Sequence, residues 1–518
     1  MKYLSLLILI ILAFYACKPK VAYPPLVENT AQLRDEALKP FYHGVASGDP
    51  LENQVIIWTR VSPETQLPKV DVSWEVAEDK AFSQLIQEGI YMTGPERDYT
   101  VKIDVEGLEA GKVYFYRFKA LGKTSASGTT KTASNQASAL NLAVVSCSNY
   151  EWGYFNAYAR IAEEENLDAV LHLGDYIYEY GPGKYGDTTI GRINIPDHEI
   201  LSTQDYRDRY AQYRLDPDLQ AVHAAHPFIS IWDDHEITNN SYKDGAQNHQ
   251  EDEGSYEERK ARAKQVYYEW LPIRESDLHY RKISYGALAD LWMLDERLAG
   301  RTQQADSASD PRRDMEEMSM LGNEQLRWLE DGMKSSTAKW KLIGNQVIYS
   351  YLDWGYETFR LNMDGWDGYP VEQEKVARII QDNGISNVLF LTGDTHTSWA
   401  IEATNKPETY NPETSEGAFA VEFGAMSINS ANSDERDIPV AAIKLHEQNI
   451  INSDLNPHLK YTNMRDHGYV LLNLSPEKAR ATFHFVETNR KRTKEMKPEI
   501  AFEVLSGETK LHRVDPIK

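Results

Sequence analysis

Asp168-Ala169-Val170-Leu171-His172-Leu173-Gly174-Asp175-Tyr176-Ile177-Tyr178-Glu179 is the stretch that decides the fold class. An apolar run that halts at Gly-Asp and then turns polar and aromatic predicts a buried parallel strand. In open α/β sheets ligands collect beyond the carboxyl ends of strands, so Asp175 stands where a metal ligand or catalytic carboxylate belongs. Two further runs end in acid and imidazole: Phe228-Ile229-Ser230-Ile231-Trp232-Asp233-Asp234-His235-Glu236 and Asn387-Val388-Leu389-Phe390-Leu391-Thr392-Gly393-Asp394-Thr395-His396. A fourth, Leu142-Ala143-Val144-Val145-Ser146-Cys147, ends in a thiol. Strands that deliver Asp, His and Cys to one edge predict a metal site.

Each residue type carries its own chemistry. Asp175 is the candidate to bridge two metals, which at about 3.5–4 Å apart can polarise a phosphoryl oxygen and clamp an in-line displacement. Alone, Gly-Asp after a strand would equally mark a turn. Tyr178 offers a phenolate to a strongly Lewis-acidic ion such as ferric iron, with Tyr176 and Tyr180 competing and plain packing as the alternative. Cys147 is either a soft thiolate ligand or a buried thiol at a strand end. Asp234 is a candidate for the second metal, and His235 is placed to meet a phosphoryl oxygen or protonate a leaving group. Asn239 or Asn240 would add the amide oxygen that calcium sites often use, or serve as a turn residue. Asp394 and His396, two apart on an extended segment, face one pocket, with Trp399 packed beneath. His172 reads as a core histidine, while His43 and His467 have no evident partner.

The chain has 518 residues, 41% of them hydrophobic, enough for two to four domains and a sizeable core. Its 55 basic and 79 acidic residues give a net charge of -24, which disfavours nucleic acid or an anionic membrane as the main partner and suits cations. An apolar run from Leu4 to Phe14 followed by Tyr15-Ala16-Cys17 reads as a secretory signal, residues 1–16, with a relaxed lipobox that would acylate Cys17. It lacks a twin-arginine pair, so the expected route is general secretion and the expected location is an exported, membrane-anchored lipoprotein, periplasmic or at the cell surface. With Cys17 acylated, Cys147 is left without a disulfide partner. Residues 17–38, with Pro19, Pro24 and Pro25, read as the lipidated tether.

Residues 39–134 show short alternating strands and predict an antiparallel β-sandwich. Within them Gly107-Leu108-Glu109-Ala110-Gly111-Lys112-Val113-Tyr114 resembles the tyrosine corner of fibronectin type III domains. From 140 to 490 strands alternate with helical stretches, among them 154–166, 256–270 and 323–333, and predict an α/β domain. Residues 180–200, rich in Gly and Pro, would form a loop over the site. The polar, Asn-rich segment 427–462 is expected at the surface or rim, and 491–518 as a C-terminal tail.

Together, Phe41-Tyr42-His43-Gly44-Val45-Ala46-Ser47-Gly48-Asp49-Pro50 with Trp58-Thr59-Arg60, Ser146-Cys147, Gly174-Asp175-Tyr176-Ile177-Tyr178-Glu179, Trp232-Asp233-Asp234-His235-Glu236 and Gly393-Asp394-Thr395-His396 resemble the PhoD-like alkaline phosphatases. This family is a branch of the metallophosphoesterases related to purple acid phosphatases. Leu294-Asp295-Glu296-Arg297 and Gly344-Asn345-Gln346-Val347 add to the resemblance, which runs from about residue 41 to about 475. It implies a fibronectin-like N-terminal domain joined to a four-layer α/β/β/α phosphoesterase domain. It further implies iron (Fe3+) held by Cys147, Asp175, Tyr178 and His396, and calcium (Ca2+) held by Asp175, Asp234, Asp394 and one of Asn239 or Asn240, with His235 meeting the phosphate. The implied activity is hydrolysis of phosphomonoesters and phosphodiesters by a metal-bound hydroxide, Asp175 and His235 being the catalytic residues. The absence of a twin-arginine signal departs from family members exported already folded and metal-loaded. Two alternatives remain: a phosphodiesterase or phospholipase D-like hydrolase of lipid or cell-envelope phosphodiesters, and a non-catalytic surface-binding lipoprotein.

Overall fold

Strands Leu140–Val145, Ala169–His172 and Pro227–Ser230 pair in parallel, Val144 opposite Leu171 and Leu171 opposite Ile229. Three of the four site-bearing strands are therefore neighbours, and they are mostly apolar because both faces are covered. The protein, a computed structural model, is described over residues 23–516. The predicted leader 1–16 and Cys17 lie outside the described residues. The fourth strand, Val388–Thr392, belongs to a second, seven-stranded sheet between Trp340–Asn345 and Ala420–Gly424. One apolar core joins the two sheets, with Leu142, Leu171 and Ile229 on one side and Leu291, Leu342 and Leu389 on the other. The sheets close up at the strand ends: a Cβ on Gly393 would stand 2.9 Å from Ser146 Cβ. Glycine there lets the motifs of different sheets converge.

The outer faces carry helices. Asn156–Ile161, Thr203–Arg214, Pro217–Ala225 and Tyr256–Trp270 cover the first sheet through Tyr158, Tyr210, Val222 and Val266. Gly322–Ser335 and Pro370–Asp382 cover the second through Leu329, Met333, Val376 and Ile380. Thr203–Arg214 opens with a capping box between Ser202 and Asp205, which satisfies backbone donors at its start. From this helix Arg209 donates to the carbonyls of Ile195 (2.9 Å) and Tyr180 (3.0 Å), pinning the glycine-rich segment to the body.

Several expectations need correction. The N-terminal strands Val45–Gly48, Gln54–Arg60 and Thr100–Glu106 do not stand apart; they extend the first sheet to ten strands, with Ser47 opposite Pro227. Alternation fixes which face of a strand is buried, but not what lies beyond its edge. Their other face packs a five-stranded sheet through Val55, Ile57, Val72, Val101 and Phe118. Tyr114 Oη there accepts from Glu109 N at 2.9 Å, which closes the turn before its strand. The described part of the tether, 23–38, lies against the body: Asn29 Nδ2 donates to Asp208 at 2.6 Å and Glu28 pairs with Arg60. The expected tail contributes strands Ile500–Leu505 and His512–Val514 to the ten-stranded sheet. Segment 427–462 is not all rim. It contains helix Val440–Ile451, and Asn429 and Asn456 are fully buried. Their amides replace water with backbone: Asn429 Nδ2 donates to Asn149 O and Gly153 O, both at 2.9 Å, and Asn456 Nδ2 to Asp353 O at 2.7 Å. Among the described residues no helix is long and apolar enough to cross a membrane.

Candidate metal centre

Cys147, Asp175, Asp394 and His396 follow their strands at φ of 59°, 57°, 61° and 60°. Left-handed backbone is costly for residues other than glycine, and here it turns the ends of different strands toward one point. Ligand atoms of Cys147, Asp175 and His396 lie within 4.8 Å of one another, and so do those of Asp175, Asp234 and His235. Asp175 belongs to both groups. Tyr178 Oη is 3.0 Å from Asp175 Oδ2 and 3.1 Å from His396 Nε2, which distinguishes it from its competitors. Tyr176 points away, its hydroxyl 2.8 Å from His223 Nε2. His396 donates from Nδ1 to Ala431 O at 2.6 Å, leaving the Nε2 lone pair for the centre.

Asp394 and the two asparagines stand outside both tight groups. Asp394 Oδ1 is 3.7 Å from Arg297 Nη2. Asn240 N donates to Asp234 Oδ2 at 2.6 Å, while Asn239 N donates to Glu179 Oε1 at 2.8 Å. Both side-chain amides donate to Gln247 Oε1, at 3.0 Å from Asn239 and 2.8 Å from Asn240. Tyr185, on the 180–200 segment, reaches to 3.5 Å from His396 Nδ1 and lies parallel to the His235 ring at 6.4 Å, so that segment does border the site. His172 is a core histidine held by Tyr158 Oη at 2.9 Å, and Trp399 donates to Thr395 Oγ1 at 2.9 Å from below. His467 meets Glu435 at 2.9 Å, whereas both nitrogens of buried His43 lack hydrogen-bond partners among the described residues.

Burial drives the Asp175 carboxyl well above its ordinary range, and the charges of Asp234 and Asp233 add to this. Burial likewise lifts Asp394 to about 7 and Asp233 to about 8. The Cys147 thiol and Tyr178 phenol are pushed well up by burial and by the charge of Asp175. Burial lowers His396 to about 4, which keeps it neutral. Asp233 Oδ2 and Asp234 Oδ1 are buried without hydrogen-bond partners among the described residues. So many anionic donors, each disfavoured alone, make a coherent set once cations share the space. The residues present therefore fit metal ions.

Sequence reasoning assigned no role to four flanking groups. Glu179 Oε2 accepts from His235 Nδ1 at 2.7 Å. Burial would lower His235, but Asp234, Glu179 and Asp175 outweigh it and hold the imidazole well above its usual range. Glu236 accepts from the backbone of Asp175 (3.1 Å), Tyr176 (2.6 Å) and Asp233 (2.9 Å), stitching two strand ends together. Arg297 grips Asp364 with two bonds of 2.9 Å and Asp233 at 2.5 Å. Glu179 and Glu236 sit inside the quoted motifs and Arg297 in Leu294-Asp295-Glu296-Arg297; Asp364 had no sequence signal.

Residues 142–483 match the sequence model of the PhoD-like phosphatase family, and residues 28–134 match that of the family's N-terminal domain. This chain belongs to the PhoD-like phosphatases. Among its relatives in the family is alkaline phosphatase D of Bacillus subtilis (strain 168), 37% identical over 470 residues, which cover 86% of this chain and 77% of that protein. The solved structure of PhoD superposes with a TM-score of 0.81 at 34% identity, covering 93% of this chain and 94% of that one. The PhoD-like fold, with its N-terminal domain and mixed sheets, is thus shared along nearly the whole length.

Proposed function

We propose that this protein is a metal-dependent phosphoesterase, an alkaline phosphatase that hydrolyses phosphomonoesters, phosphodiesters or both. The carrying observation is Asp175, shared between a Cys147/Asp175/His396 group and an Asp175/Asp234/His235 group, in a chain of this family. A passive surface-binding protein has no need of such a constellation. In this reading Cys147, Asp175, Tyr178 and His396 hold iron, and Asp175, Asp234, Asp394 and Asn239 or Asn240 hold calcium. When bound, the ions would lend charge to the phosphoryl oxygens and acidify the attacking water. His235, kept cationic by Asp234 and Glu179, donates a proton to the departing oxygen. Tyr178, its ring centroid 4.2 Å from that of His235, fixes the plane of the imidazole. The reading extends to a four-layer α/β/β/α catalytic domain with a fibronectin-like N-terminal part, supported by the helices outside both sheets and the Tyr114 corner bond. It extends also to lipid anchoring through Cys17 on the exported side of a membrane, on sequence grounds.

Elemental analysis of the purified protein is expected to find both iron and calcium. Prolonged chelation should suppress hydrolysis of phenyl phosphate and bis(p-nitrophenyl) phosphate alike. Chelation-resistant turnover of both would defeat the proposal. Glu179 is a positioning residue in this scheme, so Glu179→Gln should lower kcat about 10–100-fold with little change in KM or bound metal. Glu179→Asp should recover part of the loss. A change in KM alone would mean that Glu179 does not act through His235.

A further inference from the structure

The centre opens into a cavity of about 370 Å³ with Asp394 and His396 among its lining residues. One wall is aromatic, made by Trp354, Tyr356 and Phe359. Trp399 braces Trp354 edge-on at 5.3 Å, and His446 stacks under Tyr356 at 4.2 Å, so this wall is set before anything binds. Tyr356 and Phe359 nonetheless leave 43% of their surface open. Flat apolar surface at the mouth of a polar site is held there against the hydrophobic effect, and its natural use is contact with a ligand.

The segment from Ala431 to Arg436 also lines this cavity. It is fastened at several points. Ala431 O takes the His396 Nδ1–H, and Glu435 accepts from Asn432 N at 3.0 Å and Asn489 Nδ2 at 3.2 Å while pairing with His467 at 2.9 Å. Asn432 Oδ1 accepts from Asp434 N at 2.9 Å, which fixes the orientation of the amide. Its Nδ2 is then left without an acceptor among the described residues, in a side chain only 5% exposed. Arg436 lines the same cavity. Its acidic neighbours are engaged elsewhere, Asp434 with Arg465 at 3.1 Å and Glu435 with His467, and among the described residues no carboxylate lies within ion-pair distance of it. In a chain of net charge -24, a cation left uncommitted beside the centre is a receptor in waiting.

We propose that Arg436 and Asn432 bind a carboxylate carried by the substrate's organic group, whose flat face rests on Trp354, Tyr356 and Phe359. The preferred substrates are then phosphoesters of aromatic or similarly planar acids. A guanidinium fork and an amide N–H match the two oxygens of a carboxylate. Asp394, which lines the same cavity, favours a monoanion over a second phosphate dianion. The inference rests on the phosphoesterase reading and narrows it to a substrate class.

The test compares phenyl phosphate with para-carboxyphenyl phosphate on the metal-loaded protein, and titrates the same protein with benzoate. In Arg436→Gln the ratio of kcat/KM, carboxylated over plain substrate, should fall on the order of tenfold relative to the parent, through KM. Arg436→Lys should keep part of the ratio, because a point charge replaces the fork. Benzoate binding should weaken in parallel in Arg436→Gln. An unchanged ratio together with unchanged benzoate affinity would overturn the inference and leave the phosphoesterase reading intact. Absence of any hydrolysis would strike that reading instead, and the benzoate titration alone would still decide the role of Arg436.

Discussion

Replacing Asp175 with alanine is expected to cut turnover by about 10⁴-fold or more and to strip both ions from the protein in the same step. The geometry leaves little room for a milder result. Asp175 Oδ2 meets Tyr178 Oη at 3.0 Å, and Oδ1 accepts from His235 N at 3.3 Å. It is the only residue common to the two candidate ligand groups among the described residues. Without it, Cys147 and His396 lose their link to Asp234, and each half-site keeps too few donors to compete with water for an ion. Fold is a separate matter. The carboxyl is wholly buried and driven well above its ordinary range, so folding gains nothing from ionising it. Asp175→Asn, which keeps the shape and discards the charge, is therefore expected to melt no lower than the chelated parent. Circular dichroism and elemental analysis on the same preparation separate the two effects. An Asp175→Ala protein that stays folded and retains both ions would end the bridging assignment.

How far the sequence could be read depended on the range over which each signal acts. The site-bearing strands were legible because a buried parallel strand is a continuous apolar run, and its end is marked by the first polar residues. Thus Asp175, Asp234 and Asp394 are read at or just beyond the ends of apolar runs from the sequence itself. The choice of Tyr178 over Tyr176 and Tyr180 needed the structure, since three tyrosines at alternate positions leave the backbone turn at Asp175 to decide which one points inward. The ten-stranded sheet was hidden for a different reason. Val45–Gly48 pairs with Pro227–Ser230, almost two hundred residues away, and no local pattern specifies that pairing. The buried amides of 427–462 misled for a third reason. Asn429 and Asn456 are polar by composition, yet each is satisfied by backbone groups, and partners of that kind leave no trace in the order of residues. Arg297 belongs with them, since its importance lies in the carboxylates folding brings to it.

Arg297→Ala is expected to cost about 3–5 kcal/mol of stability, the loss typical when one partner of a buried ion network is removed. The guanidinium is fully buried, bonded to Asp233 and Asp364, with Asp234 at 3.9 Å and Asp394 at 3.7 Å. It is a cation shared among the four carboxylates of the acidic cup. Arg301 also reaches Asp364, at 2.5 Å, but among the described residues Arg297 alone bonds Asp233 by an ion pair. The sign of the pH dependence follows from Asp364. Burial would raise its carboxyl, yet Arg297 and Arg301 outweigh burial and hold it below the ordinary range. A group depressed in this way contributes stability that is present above the unfolded carboxylate pKa and is lost as pH falls through the lower, folded one. The deficit of Arg297→Ala should accordingly be largest above about pH 4–5 and shrink in more acidic solution. Urea unfolding of parent and variant at several pH values measures it directly. Arg297→Lys is the informative companion: it restores the charge without the fork, so it should recover part of the stability but not the simultaneous grip on Asp233 and Asp364. If alanine and lysine at this position were equally stable, and as stable as the parent, Asp364 would have to be neutral in the folded protein and would not need this cation.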